Sequence, residues 1–157
     1  IRILRSSSLR KLLADPATGK TNAGTAITNG ADIVFHAAGA TGLGVIEACQ
    51  EAGVYAIGVD RDQYNDAPGT VITSAMKRVD TAVYDSVESL LNGTLEGGLH
   101  TYDLAAGGVD IAPSQDLLPE DEEGSEDVKA KILAGEVTVP ASKEEFEAAY
   151  GDVYQLD

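Results

Sequence analysis

Tryptophan is absent, cysteine and methionine occur once each, and histidine occurs twice. Each scarcity removes a kind of chemistry. Cys49 cannot close a disulfide within the chain, and one thiol does not build a zinc site. Neither His36 nor His100 belongs to a recognisable Cys/His metal-ligand pattern. The Ser6-Ser7-Ser8 cluster has no recognisable base, and no G-x-S-x-G elbow occurs. No motif demands catalysis, so the chain is read as a non-enzyme with no cofactor. Basic residues are also scarce: 11 Lys and Arg stand against 26 Asp and Glu, for a net charge of -15. Nucleic acid is therefore not an expected partner, because phosphate binding needs clustered Lys and Arg. Adhesion to anionic lipid is disfavoured for the same reason. No run of eighteen apolar residues is present, so no membrane-spanning helix is expected. The first residues, Ile1-Arg2-Ile3-Leu4, read as a strand already under way rather than as a signal peptide, and the native chain is expected to start upstream.

What is present is a globular composition. Hydrophobic residues make up 43% of 157, enough for one domain with a core. Residues 31–37 (ADIVFHA) form a short apolar run rich in β-formers, a buried strand. Gly39 to Gly42 break the run. From Thr41 to Ala52, Val45, Ile46, Cys49 and Ala52 recur at helical spacing, with Gly53 as the C-terminal cap and Cys49 as a small buried hydrophobe. Residues 54–59 (VYAIGV) form a second strand, 60–69 a polar loop, and 70–74 (TVITS) a third strand. A helix over 79–91 carries Val79, Val83, Val87 and Leu90 on one stripe and ends at Asn92-Gly93. This alternation predicts an α/β fold: a parallel, doubly wound sheet flanked by helices.

Upstream, Asp15-Pro16 supplies an N-cap and a first-turn proline for a helix to about Asn29. That helix holds Gly19, Gly24 and several threonines, so tertiary packing must hold it. Downstream, the acidic run from Glu120 to Glu123 reads as a solvated loop or first helical turn. A short helix follows over 125–133 and stops at Gly135. Ser142-Lys143-Glu144-Glu145 matches a capping box opening a last helix.

In open parallel α/β sheets, ligands bind beyond the carboxyl ends of the strands. Three consecutive strands deliver candidates to that rim: His36, Ala38, Gly39 and the Gly42 turn from the first, Asp60 from the second, Ser74 and Lys77 from the third. The glycine turn opening a helix can present free N–H groups to an oxygen-rich ligand or an anion, or serve only as a tight turn. It matches neither the dinucleotide fingerprint nor a P-loop. Asp60 can accept two hydrogen bonds, as a vicinal diol requires, or can cap the following loop. Lys77 can donate to a ligand or pair with Asp60 or Asp80. His36 is expected to finish its strand with a satisfied hydrogen bond; Asp62 and Asn65 are loop residues. A Rossmann-like or flavodoxin-like nucleotide-binding enzyme domain, with phosphate at the Gly39 turn, remains the alternative.

Three segments in order, GADIVFHAAGATGLGVIEACQEAGVYAIGVDRDQ from Gly30, TVITSAMKRVDTAVYDSV from Thr70 and GTLEGGLHTYDLAAGGVDIAP from Gly93, resemble the basic-membrane-protein family. These are substrate-binding lipoproteins of ABC importers whose characterised members bind purine nucleosides. The resemblance implies a lobe of a type I periplasmic-binding fold, with residues 1–112 forming a C-terminal lobe incomplete at its start. Residues 113–157 would be a hinge crossing and helices packing toward the other lobe. It implies ligand contacts from Ala38, Gly39, Thr41 and Gly42 against the sugar, from Asp60 to the ribose hydroxyls, and from Lys77. It also implies a membrane permease as partner and a lipid-anchored position at the extracellular face of the membrane or in the periplasm. The family places an aromatic just before an Asp-Pro pair to stack on the base; here Leu12, Leu13 and Ala14 precede Asp15-Pro16.

Overall fold

The computed structural model describes residues 14–115 and 117–151; the strand expected over 1–4 lies outside them. Contacts divide the chain into two compact units, Ile1–Pro119 and Glu120–Asp157.

In the first unit, α1 (Pro16–Thr28) starts where the sequence predicts. The Asp15 carboxylate accepts from the Thr18 amide at 3.0 Å, and proline occupies the first turn. Strand β1 (Ile33–Phe35) is shorter than the apolar run that announces it. A 3₁₀ turn, Gly39–Thr41, leads into α2 (Gly42–Ala52), which Gly53 closes in the left-handed conformation at φ 67°. Strand β2 (Tyr55–Asp60) pairs parallel with β1, and β3 (Val71–Lys77) pairs parallel with β2. Strand β3 is longer than expected and carries Lys77 as its last residue. The fourth strand, β4 (Val109–Ile111), is antiparallel to β3 at the sheet edge, a departure from the expected all-parallel pairing. The strand order is β1-β2-β3-β4.

One apolar cluster joins the helices to the sheet: Ala23 from α1, Val45, Ile46 and Cys49 from α2, with Val34, Ala56 and Val71 from the first three strands. Cys49 is fully buried, and burial pushes its thiol pKa up to about 11, which keeps it a neutral hydrophobe at physiological pH. The two helices approach so closely that a Cβ on Gly44 would collide with the Pro16 carbonyl, and one on Gly19 with the Thr41 carbonyl. This contact supplies the packing that α1 needs. Helix α3 (Val79–Leu91) spans the predicted residues, but its apolar stripe is open: Val79, Val83, Val87 and Leu90 are each at least half exposed.

In the second unit, α4 (Pro119–Leu133) begins earlier than expected and takes the acidic run into its first turns. Helix α5 (Lys143–Tyr150) carries the anticipated cap, with Ser142 Oγ accepting from the Glu145 amide at 3.1 Å.

Candidate ligand-binding site

The ends of β2 and β3 and the turn after β1 enclose a pocket of about 760 Å³ within the first unit. Its polar wall includes Asp60, Asp62, Gln63, Lys77, Arg78 and Asp80. Leu43, Val59, Met76 and Val79 form an apolar wall, with Gly39 and Ala40 beside them. That mix of apolar surface and a few convergent polar groups is the usual makeup of a small-molecule site.

Asp60 ends β2 on an uncommon backbone. Its φ is 68°, and the Arg61 N–H donates to the Val59 carbonyl at 2.8 Å, closing a three-residue turn around it. Turns of this positive-φ kind are rare and strained for a residue with a Cβ. The turn lifts the carboxylate off the strand line onto the pocket wall. Capping of the loop falls instead to Asp62, whose Oδ1 accepts from the Tyr64 N–H at 2.9 Å.

Every cation on the polar wall has a carboxylate partner. Lys77 Nζ lies 3.0 Å from Asp60 Oδ1. Arg61 grips both oxygens of Asp66, at 2.9 and 2.8 Å. Arg78 forks onto Asp80 through Nε and its terminal nitrogen, which draws the Asp80 carboxyl pKa down to about 2 and raises that of the guanidinium. Each cation of this wall is thus neutralised by its own carboxylate, and Asp62 is left as a further negative charge.

Behind the wall is a buried polar layer. His36 is 1% exposed, and neither ring nitrogen has a hydrogen-bond partner, contrary to the sequence expectation. The ring lies against the Cα of Gly42, where a Cβ would overlap it. Burial holds its pKa below the ordinary histidine value; the nearby Gln63 amide, too poorly placed for a full hydrogen bond, and the charges of Asp60 and Asp66 oppose that shift without reversing it. The imidazole is therefore neutral at pH 7.

The structure brings three of the sequence candidates, Gly39, Asp60 and Lys77, to the pocket wall. Ala38 and Thr41 are fully buried behind it, and Gly42 is covered by His36. The 3₁₀ turn rotates Thr41 inward, where its Oγ1 accepts from the Asp15 N–H at 2.9 Å. Ser74 is likewise buried and bonds Gln63. Gln63, Arg78 and Asp80 line the pocket without having been singled out from sequence. The position of Gln63 three residues past a strand end was the available signal, but a neutral amide there has no distinctive spacing.

This α/β lobe with its strand-end pocket is similar in fold to solved solute-binding proteins. An ABC transporter solute-binding protein from Aeropyrum pernix K1 superposes with a TM-score of 0.72 at 24% identity, over 90% of this chain and 49% of that one. A transcriptional activator of the comK gene from Bacillus halodurans gives a TM-score of 0.72 at 23% identity, over 76% of this chain and 43% of that one. The sequence model described as "ABC transporter substrate-binding protein PnrA-like" matches residues 7–143, and the chain belongs to that family. Basic membrane protein A1 of Borrelia garinii subsp. bavariensis is 38% identical over 139 residues, which cover 85% of this chain and 41% of that relative. The chain thus spans less than half the length of the relative it matches.

Proposed function

We propose that the chain is part of the solute-binding component of an ABC importer, and that the pocket beside Asp60 takes a purine nucleoside by its ribose. The observation that carries this reading is the Asp60–Lys77 pair, 3.0 Å apart on adjacent strand ends at the wall of a 760 Å³ pocket. An ionised carboxylate only accepts hydrogen bonds and can take both hydroxyls of a vicinal diol; the ammonium only donates and can serve a ring oxygen or a base nitrogen. Leu43, Val59, Met76 and Val79 offer the apolar face that a base needs. A receptor of this kind needs complementary hydrogen bonds and a closing cleft, not a nucleophile. The protein would then hand its solute to a membrane permease at the extracellular face of the membrane.

The competing reading, a phosphate-bearing nucleotide at the Gly39 turn, is disfavoured by charge. Arg61, Lys77 and Arg78 are each already matched to a carboxylate, and Asp62 adds a further negative charge. A phosphate dianion would meet no unpaired cation at this wall.

Isothermal titration of the complete protein with inosine, guanosine and adenosine tests the proposal. Asp60→Ala should weaken the best of them by about 1.5–3 kcal/mol, the range for hydrogen bonds to a charged group. Thermal melting should change little. Absence of heat and of thermal stabilisation with every nucleoside would overturn the reading, and a phosphate-bearing cofactor retained through purification would favour its competitor.

A further inference from the structure

Gln63 is only 5% exposed, yet its side chain and its N–H make three hydrogen bonds, each to something that fixes Asp60. Its Oε1 accepts from the Val59 N–H at 2.8 Å, on the residue before Asp60. Its Nε2 donates to Asp66 Oδ2 at 3.0 Å, and Asp66 is the carboxylate that grips Arg61, on the residue after Asp60. Its own N–H donates to Ser74 Oγ at 3.1 Å, which ties the bend to β3, the strand that carries Lys77. Glycine at position 58 makes room for this arrangement, since a Cβ there would press on Ser74 Oγ at 2.5 Å and on Gln63 Cβ at 2.9 Å.

We infer that Gln63 is the positioning residue of the site: it clamps both flanks of Asp60 and holds the carboxylate in the strained turn that faces the ligand and Lys77. The inference rests on the reading of the pocket as a ligand site. The chemistry calls for this side chain in particular. One end must accept from an amide and the other must donate to a carboxylate, and a side-chain amide does both at once. Glutamate has the same shape but brings a second negative charge against Asp66. Without the clamp, both flanks of the positive-φ turn lose an anchor, and the backbone at Asp60 relaxes toward ordinary strand geometry.

The test is a double-mutant cycle on the complete protein. Gln63→Glu should weaken binding of the tightest purine nucleoside about tenfold or more in the natural background, but by less than about twofold in Asp60→Ala, because coupled residues are non-additive. A merely structural role would cost the same in both backgrounds, and that result, or an unchanged affinity, would overturn the inference. If Gln63→Glu does not fold, Gln63→Met removes both side-chain hydrogen bonds without adding charge, and the same cycle is read on it. Amide hydrogen exchange supplies a reading free of ligand: the Val59 and Arg61 amides should exchange about tenfold faster or more in Gln63→Met, which removes the acceptor of the Val59 N–H, with Ala56 unchanged. Unchanged exchange at those two amides would also sink the clamp. Failure of every nucleoside to bind the unmodified protein would instead overturn the proposed ligand, and the exchange measurement would still decide the role of Gln63.

Discussion

Asp60 holds a carboxylate on backbone that glycine adopts freely and a residue with a Cβ does not. Alanine at this position keeps the strain, whereas glycine releases it. Asp60→Gly should therefore be more stable than Asp60→Ala by about 1 kcal/mol in urea unfolding, with both equally deficient in binding. The exposed pair with Lys77 is lost in both variants and cancels from the comparison. His36 makes a different prediction. Its folded pKa is lowered, so the unfolded chain takes up the proton first as pH falls. Its contribution to stability is complete above about pH 6.5 and is lost below that, at up to about 1.4 kcal/mol per pH unit, until the folded pKa is passed. His36→Phe, which keeps a ring against Gly42, should flatten this part of the profile of stability against pH. What the sequence discloses at the scale of residues has a physical limit. Asp60 is legible at a strand end because the apolar run over 54–59 marks that end; Lys77 lies three residues past the end expected at Ser74, and the longer β3 carries it to the same rim. The inward rotation of Ala38, Thr41 and Gly42 was not legible, since a single 3₁₀ turn before α2 decides it. The unsatisfied state of His36 depends on packing that no local pattern encodes.

At the scale of elements, α1 has poor intrinsic helicity and is nevertheless a regular helix of 13 residues. Thr21, Thr25 and Thr28 bond back to the carbonyls four residues earlier, at 3.0, 3.0 and 2.8 Å. Such bonds satisfy hydroxyls without strengthening a helix, so the contact with α2 must do so. Gly44→Ala would drive a methyl group into the Pro16 carbonyl, a backbone atom that cannot swing aside. The expected cost is about 1–3 kcal/mol, seen as a lower urea midpoint with both helices still formed. Caps and periodicity made α1, α2, α3 and α5 legible, because each depends on residues within a turn or two of one another. Strand β4 was missed: it has three residues, follows Gly107-Gly108, and owes its existence to partners on β3 more than thirty positions earlier.

Across the whole molecule the dominant fact is a charge of -15. Mutual repulsion among the carboxylates opposes the compact state, and salt screens it over about 10 Å at 0.1 M. The urea midpoint should rise as sodium chloride is raised from about 10 mM to about 0.2 M, and most of the gain should come at the low end. Helix α3 adds a second influence. Its open row of valines and leucine meets water on a molecule that is otherwise kept apart from its copies by charge. As electrolyte weakens the repulsion, the attraction between those apolar rows gains ground, and strongly hydrated anions such as sulfate strengthen it further. Solubility in ammonium sulfate should therefore not fall steadily but pass through a maximum, set where fading repulsion yields to the pull of one greasy helix face.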